Sequence, residues 1–368
     1  MVPAKKTKIL LLFCGGTIAM APDPKTGSLR PALKPEELYS MAPKIRQYAD
    51  IDVKFITDID STNMTSKEWS KIIEAIHDNM ESYDAFLLTH GTDTMAETAN
   101  AIAFAFGCGL KKPVVITGSQ AAPHLLGTDA IANLERAVSV AINTTRPEVM
   151  ISFHDHVFRG TRTQKTSERK LNAFHSPAEH PLAEHMGDTI HWNVEKNPKK
   201  EKHESLFLPY FNERVVSISL HAASDAGNIT ESLLVKSVEQ RPKGFVWTSL
   251  GAGNIPESLY PAIEATKKIN IPIVVTSQFP GGKLNMNQYE SGRKALEAGV
   301  IPAGNMTPES AIVKLKWALG LAEHEISSGK LAETQLIPFV RLVFEHERAN
   351  EITLDESKPL PVSWKYAV

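Results

Sequence analysis

Four short segments of this sequence hold hydroxyl, carboxylate and amine side chains at spacings that could do chemistry. In Phe13-Cys14-Gly15-Gly16-Thr17-Ile18-Ala19-Met20, a threonine stands just beyond two glycines at the end of the apolar run Ile9 to Leu12. Two readings are open: the glycines only permit a backbone conformation that other residues avoid, or they bring the Thr17 hydroxyl out against a ligand. The lysine and spacing of a phosphate loop are missing and no GxGxxG occurs, which leaves a nucleotide little support. Thr89-His90-Gly91-Thr92-Asp93-Thr94 is denser. It follows a strand and opens a helix, where free N–H groups and the helix dipole favour an anion or a developing oxyanion. A helix cap is the alternative, but a cap needs only one of Thr92, Asp93 and Thr94. Asp60-Ser61-Thr62-Asn63 adds a third strand-end loop of acid and hydroxyl groups. Lys165, in Arg159-Gly160-Thr161-Arg162-Thr163-Gln164-Lys165-Thr166, is by default a solvated charge. Buried beside an aspartate and a threonine it would be different, because desolvation would lower its pKa and the neutral amine could take a hydroxyl proton. His154-Asp155-His156 has metal-ligating residue types, but alternate residues of an extended segment point to opposite faces and no third ligand is signalled, so no metal is expected.

These side chains need a scaffold that gathers loops from distant parts of the chain. Short β-rich apolar runs alternate with segments of 3.6-residue apolar spacing, the pattern of βαβ units around a mainly parallel sheet. Strands are expected at Lys8 to Phe13, Val53 to Thr57, Ala85 to Thr89, Pro113 to Thr117 and Val149 to Phe153, and helices at Ser66 to Asn79, Thr94 to Phe106 and Asp129 to Asn143. A second series has strands at Val215 to Leu220, Gly244 to Thr248 and Ile273 to Ser277. Its helices are Ile229 to Glu239, Pro256 to Lys268, Gln288 to Ala298 and Pro308 to Gly320, the last capped by Thr307 with Pro308 in its first turn. The fold class is thus α/β, with an N-terminal domain over 1–193, a polar, proline-broken linker over 194–213 and a C-terminal domain over 214–368. After Ala332 a strand-like run, Leu336 to Phe344, precedes a charged and proline-rich end. Ligands of such sheets bind at the carboxyl ends of the strands, where Thr17, Ser61 and Thr92 fall.

Composition narrows the partners. A chain of 368 residues that is 42% hydrophobic can fill more than one core. Forty Lys+Arg against 42 Asp+Glu leave a formal charge of −2, which provides no basic field for a nucleic acid or an anionic membrane. No apolar stretch approaches the roughly 20 residues of a membrane span, and MVPAKKTK is followed by no small-residue cleavage site. Cys14 and Cys108 are too few for a disulfide framework and suit a reducing cytosol, so a cytoplasmic protein is expected.

The segments FCGGTIAM (13–20), Asp60 to Met64, LLTHGTDTMAETA (87–99), Val114 to Gln120, Arg159 to Thr166, Gly251 to Asn254, and Asn305 to Glu309 through Trp317 to Gly320 form an ordered set. In it the chain resembles the bacterial-type L-asparaginases, the asparaginase/glutaminase amidohydrolases, from about Lys8 to about Gly320. The resemblance implies a larger N-terminal doubly wound domain with a mainly parallel sheet and a smaller C-terminal α/β domain. It implies hydrolysis of the side-chain amide of L-asparagine to L-aspartate and ammonia, with no metal or organic cofactor. Thr17 is then the nucleophile that forms the acyl-enzyme, and Thr92, Asp93 and Lys165 are the second hydroxyl, carboxylate and amine set. Ser61 matches the ligand of the substrate α-carboxylate, Asp93 that of its α-ammonium, and the Thr92 N–H the oxyanion donor, with Gly16, Asp60, Thr62 and Gly91 around the substrate. This suits the chemistry: an amide resists attack, so a neutral hydroxyl needs a base, an oxyanion site and a proton for the leaving ammonia. Many members carry a tyrosine soon after the first signature, and Ala21 to Lys34 contains none. Tyr289 is similar to the tyrosine that the cytoplasmic branch brings from its C-terminal domain, and Asn254 to a residue that reaches a neighbouring protomer, which implies a homodimer or homotetramer. Thr62 stands where the periplasmic branch has glutamine. Two other functions stay open. A glutaminase component supplying ammonia to a tRNA-dependent amidotransferase is expected to carry a β-barrel domain before the first signature, for which the residues ahead of Cys14 leave no room. A non-enzymatic small-molecule binding module would need the pocket but not Lys165.

Overall fold

The computed structural model describes residues 6–23, 25–27, 29–31, 37, 42–198, 207–279 and 281–353. The chain divides into two compact units, residues 1–205 and 206–368. The linker segment 194–213 straddles this division, and its residues 199–206 lie outside those described.

The first unit is built on an eight-stranded sheet. Its strands are β1 (Thr7–Phe13), β2 (Ala49–Phe55), β3 (Ala85–Thr89), β4 (Val114–Thr117), β5 (Val149–Phe153), β6 (His156–Arg159), β7 (Ala183–Met186) and β8 (Thr189–Trp192), in the spatial order β8-β7-β6-β5-β4-β3-β1-β2. The strands β2, β1, β3, β4 and β5 are parallel. Leu10 to Phe13, Ala85 to Thr89 and Val114 to Thr117 are buried throughout, as expected of strands covered on both faces. Helices α1 (Ser66–Asn79), α2 (Met95–Phe106) and α3 (Ala130–Asn143) connect them. One core joins alternate residues of the sheet, Ile9, Leu11, Phe13, Leu87 and Val115, to Leu134, Ala137 and Val138 of α3. The chain runs from β1 outward to β2 and returns to β3 on the other flank of β1. The order therefore reverses between β1 and β3, and the crevice of a doubly wound sheet opens beyond the carboxyl ends of those two strands.

The sheet is also longer than the parallel pattern predicts. Strands β6, β7 and β8 extend it antiparallel from β5. They were not legible because each is four residues long and Glu184, His185, Thr189 and His191 break any apolar run. His154, at φ 55°, turns the chain from β5 into β6. This tight turn replaces the extended geometry expected for His154-Asp155-His156. Both imidazoles face the Asp155 carboxylate, at 2.6 and 2.8 Å, and among the described residues no group of three or more His, Cys, Asp or Glu is arranged to hold a metal.

The second unit has a four-stranded parallel sheet, β9 (Val215–Ser219), β10 (Gly244–Ser249), β11 (Ile273–Ser277) and β12 (Ile301–Pro302), in that order. With it are α4 (Ala226–Leu234), α5 (Tyr260–Lys268), α6 (Glu290–Ala298), α7 (Pro308–Ser327) and α8 (Leu336–Glu345). Phe245, Trp247, Ile273 and Val275 pack against Leu259 and Ile263 in its core. The Thr307 hydroxyl accepts from the Ser310 N–H at 3.2 Å, capping α7 as expected. Two expectations are corrected. Helix α4 lies over Ala226–Leu234 and not over 229–239, since Val235 and Val238, which prolonged the apolar pattern, are exposed. The run from Leu336 is a helix and not a strand. Its buried residues Phe339, Val340, Val343 and Phe344 share one helical face, a period that a nearly continuous apolar run conceals. Among the described residues no helix is long and apolar enough to cross a membrane.

The segment after α8 is tied back to α7 by a fully buried ion pair between Lys314 and Glu351. The ammonium also donates to His346 O at 2.7 Å, and the carboxylate accepts from the Arg348 and Ala349 N–H groups. Burial pushes the Glu351 carboxyl up, but the Lys314 charge and these N–H bonds outweigh it and hold it below the ordinary carboxylate range. Glu351→Gln is expected to lower the stability of this unit by about 3–5 kcal/mol, because it strands a buried ammonium. Urea unfolding followed by tryptophan fluorescence measures the loss.

Candidate active site

The ladders of the central strands run past their ends and set the loops side by side. The Cys14 N–H bonds Thr89 O at 3.1 Å, the His90 N–H bonds Thr117 O at 2.9 Å, and both Ile56 and Thr57 donate to Phe13 O. Gly15 and Gly16 then take φ of 72° and 86°, values that L side chains rarely adopt. A Cβ on Gly16 would lie 2.4 Å from Gly91 N and 2.5 Å from His90 C, and one on Gly91 would lie 2.4 Å from Ser61 Oγ. The backbone after β1 is therefore pressed against the loop after β3, and that loop against Ser61, which follows β2. Thr17 stands one residue past the first contact and Thr92 one residue past the second. Gly16→Ala combines the clash with a strained φ and is expected to cost at least tenfold in turnover together with a lowered Tm, read by activity and thermal melt on one preparation.

Thr17 opens a single 3₁₀ turn, Thr17–Ala19, and is half-buried. Its hydroxyl, the hydroxyl of Ser61 and the backbone N–H of Thr92 have no hydrogen-bond partner among the described residues. Three unpaired polar groups on adjoining loops are therefore available to the polar atoms of a ligand. Cys14, three residues before Thr17, is no competing nucleophile: it is buried, and burial pushes its thiol up and keeps it protonated.

Lys165 arrives on a two-residue strand, Gln164–Lys165, paired with Phe174–His175. Its Nζ donates to Thr92 Oγ1 at 2.8 Å and to Asp93 Oδ1 at 2.6 Å. The Lys165 side chain is 17% exposed, while that of Asp93 is 56% exposed. The helix-cap alternative does not apply to these residues. Thr94 occupies the cap position of α2 with no side-chain cap, and its hydroxyl donates instead to Ser61 O at 2.8 Å. Asp60 is exposed and its carboxylate takes both the N–H and the hydroxyl of Thr62 at 3.0 Å, bracing the turn that carries Ser61. Arg159 is paired with Glu148 and Glu179.

One residue to which the sequence reading gave no role joins this group. The Thr92 hydroxyl donates to Gln120 Oε1 at 3.1 Å, and Gln120 Nε2 reaches Ser167 O and Lys170 O. The Asp129 carboxylate holds the Gln120 and Ala121 N–H groups. The available signal was position, since Gln120 follows the end of β4 at the same carboxyl edge. Tyr289 and Asn254 belong to the second unit. Tyr289 precedes α6 and is 53% exposed, and Asn254 Oδ1 accepts from Ser291 Oγ at 3.3 Å. A cavity of about 390 Å³ in that unit, bordered by Arg241, Lys243, Ile269 and Glu323, lies where its strands begin and not where they end.

Residues 8–198 match the family model described as Asparaginase, N-terminal, and residues 215–327 match that of the Glutaminase/Asparaginase C-terminal domain. Fold and site together define an amidohydrolase of α/β type. The chain belongs to the asparaginase family. It is 34% identical over 351 residues to the L-asparaginase of Thermococcus kodakarensis, covering 94% of this chain and 99% of that one. The solved structure of the thermostable L-asparaginase from the same organism superposes with a TM-score of 0.80 over 95% of this chain and 100% of that chain, at 33% identity. A component of the glutamyl-tRNA(Gln) amidotransferase of Aeropyrum pernix is 32% identical over 360 residues, covering 95% of this chain and 80% of that protein.

Proposed function

We propose that this chain hydrolyses the side-chain amide of free L-asparagine, yielding L-aspartate and ammonia. The observation that carries the reading is the Lys165 amine joined to both Thr92 and Asp93, on the loop pressed against the unpartnered Thr17. Thr17 Oγ1 attacks the amide carbon and loses its proton, the carbonyl oxygen gathers charge opposite the Thr92 N–H, and the C–N bond breaks as the nitrogen takes a proton and leaves as ammonia. Water then attacks the threonine ester, the C–O bond to Thr17 breaks and the hydroxyl regains its proton. Thr92 and Lys165, joined to each other at 2.8 Å, are assigned to pass these protons. Ser61 receives the α-carboxylate and Asp93 the α-ammonium, a pair that selects a small zwitterion over longer or uncharged amides. Gly16, Asp60, Thr62 and Gly91 shape that subsite. The exposed Tyr289 and the half-buried Asn254 fit a role across a homodimer or homotetramer, and the reading places the enzyme in the cytoplasm.

Steady-state ammonia release from asparagine and from glutamine tests this. A higher kcat/KM for asparagine is expected, and turnover of neither amide sinks the proposal. The relationship to the amidotransferase component favours a second reading, ammonia supply to a tRNA-dependent amidotransferase. That reading requires glutamine to be the preferred amide in the same assay.

A further inference from the structure

His90 lies in the middle of the densest motif, yet the chemistry above makes no use of it. It is fully buried, as is Thr98 of α2, and Trp69 of α1 is 5% exposed. Trp69 Nε1 is 3.0 Å from Thr98 Oγ1, Thr98 Oγ1 is 2.9 Å from His90 Nε2, and His90 Nδ1 is 2.7 Å from Gly91 O. The polarity of this chain follows by elimination. Gly91 O only accepts, so Nδ1 carries the imidazole proton. Burial lowers the imidazole to about 4, so the ring is neutral near pH 7 and Nε2 only accepts. Thr98 must then donate its hydroxyl proton to Nε2, and its oxygen takes the indole N–H, which only donates. Every link points the same way, from Trp69 through Thr98 and His90 to Gly91 O.

That last acceptor matters. The Gly91 carbonyl and the Thr92 N–H belong to one planar trans peptide, so they point in opposite directions. Glycine is also the residue at which such a peptide flips most easily. Holding the oxygen against a buried ring holds the N–H turned away from it, and this N–H is unpartnered among the described residues. We propose that the chain Trp69–Thr98–His90 is a positioning device that locks the Gly91–Thr92 peptide with its N–H aimed at the substrate carbonyl, His90 acting without touching substrate. This rests on the amide-hydrolysis reading.

The test compares four variants by ammonia release, with far-UV circular dichroism and thermal melts as folding controls. His90→Leu is expected to lower kcat by about 10²-fold with KM changed less than about threefold, since an oxyanion donor acts in the transition state. Asparagine places an amide N–H close to where Nδ1 was, so His90→Asn is expected to recover most of that loss. Thr98→Val frees the tautomer and is expected to cost about tenfold in kcat, and Trp69→Phe less. If His90→Leu does not fold, Thr98→Val carries the decision. Unchanged kcat in Thr98→Val together with unchanged kcat in a folded His90→Leu overturns the inference. So does an Asn variant as slow as Leu, with KM rising in step, because a merely structural histidine behaves that way. Wild-type protein that releases no ammonia removes the reaction itself and the role of His90 with it, an outcome distinct from active wild type with indifferent variants.

Discussion

Thr17→Ala is expected to lower kcat on asparagine by on the order of 10⁴-fold or more, as removal of a covalent nucleophile does elsewhere. A 10⁴-fold loss corresponds to about 5.4 kcal/mol of activation free energy, far more than one hydroxyl contributes to folding. Stability should scarcely move, because the Thr17 hydroxyl has no protein partner among the described residues and its turn is closed by backbone, the Met20 N–H bonding Thr17 O. The expected change in unfolding free energy is within about 1 kcal/mol. Purified wild type and variant compared by ammonia release and by urea unfolding settle the role. A variant that folds and keeps more than about a tenth of wild-type kcat would show that Thr17 is not the nucleophile.

Lys165→Met keeps the length of the side chain and removes the amine. It is expected to lower kcat by about 10³-fold, within the 10²–10⁴ range of a positioned proton-transfer group. The folding cost should be small: the Asp93 partner is more than half exposed, and ion pairs of that kind contribute at most about 1 kcal/mol. Substrate binding should survive, because Ser61 and the Asp93 carboxylate remain, so the loss should appear in kcat with KM moved less than about tenfold. Isothermal titration of the variant with asparagine, run beside the turnover assay, separates binding from catalysis. The same experiment tests a non-enzymatic binding module, which needs the pocket but not Lys165 and predicts ammonia release from neither wild type nor variant.

These tests follow from how differently the parts of the protein could be read. The strands β3, β5 and β11 and the helix α1 lie where the apolar patterns placed them, because a parallel strand covered on both faces is a continuous apolar run and α1 shows a clean 3.6-residue stripe. Elements whose pattern is weak or double-valued were missed or misread. Strands β6 to β8 are short and polar, and the run at Leu336 fits a strand or a helix equally until its burial is known. In the site, the residues carried on glycine-bearing signatures were visible by type. Gln120 was visible only as one residue of a matching segment, and the buried links of His90 to Thr98 and Trp69 left no periodic trace.

What the sequence determined by itself was local: which runs can be strands or helices, and which loops carry hydroxyl, acid and amine. Those follow from each residue's own conformational freedom and polarity, which need no partner. Only the tertiary structure decided that Lys165 lies 2.8 Å from Thr92, 73 positions earlier in the chain, and that the Thr17 loop rests on Gly91. Such contacts depend on which strands and loops become neighbours, a property of how the whole sheet assembles that no single segment encodes.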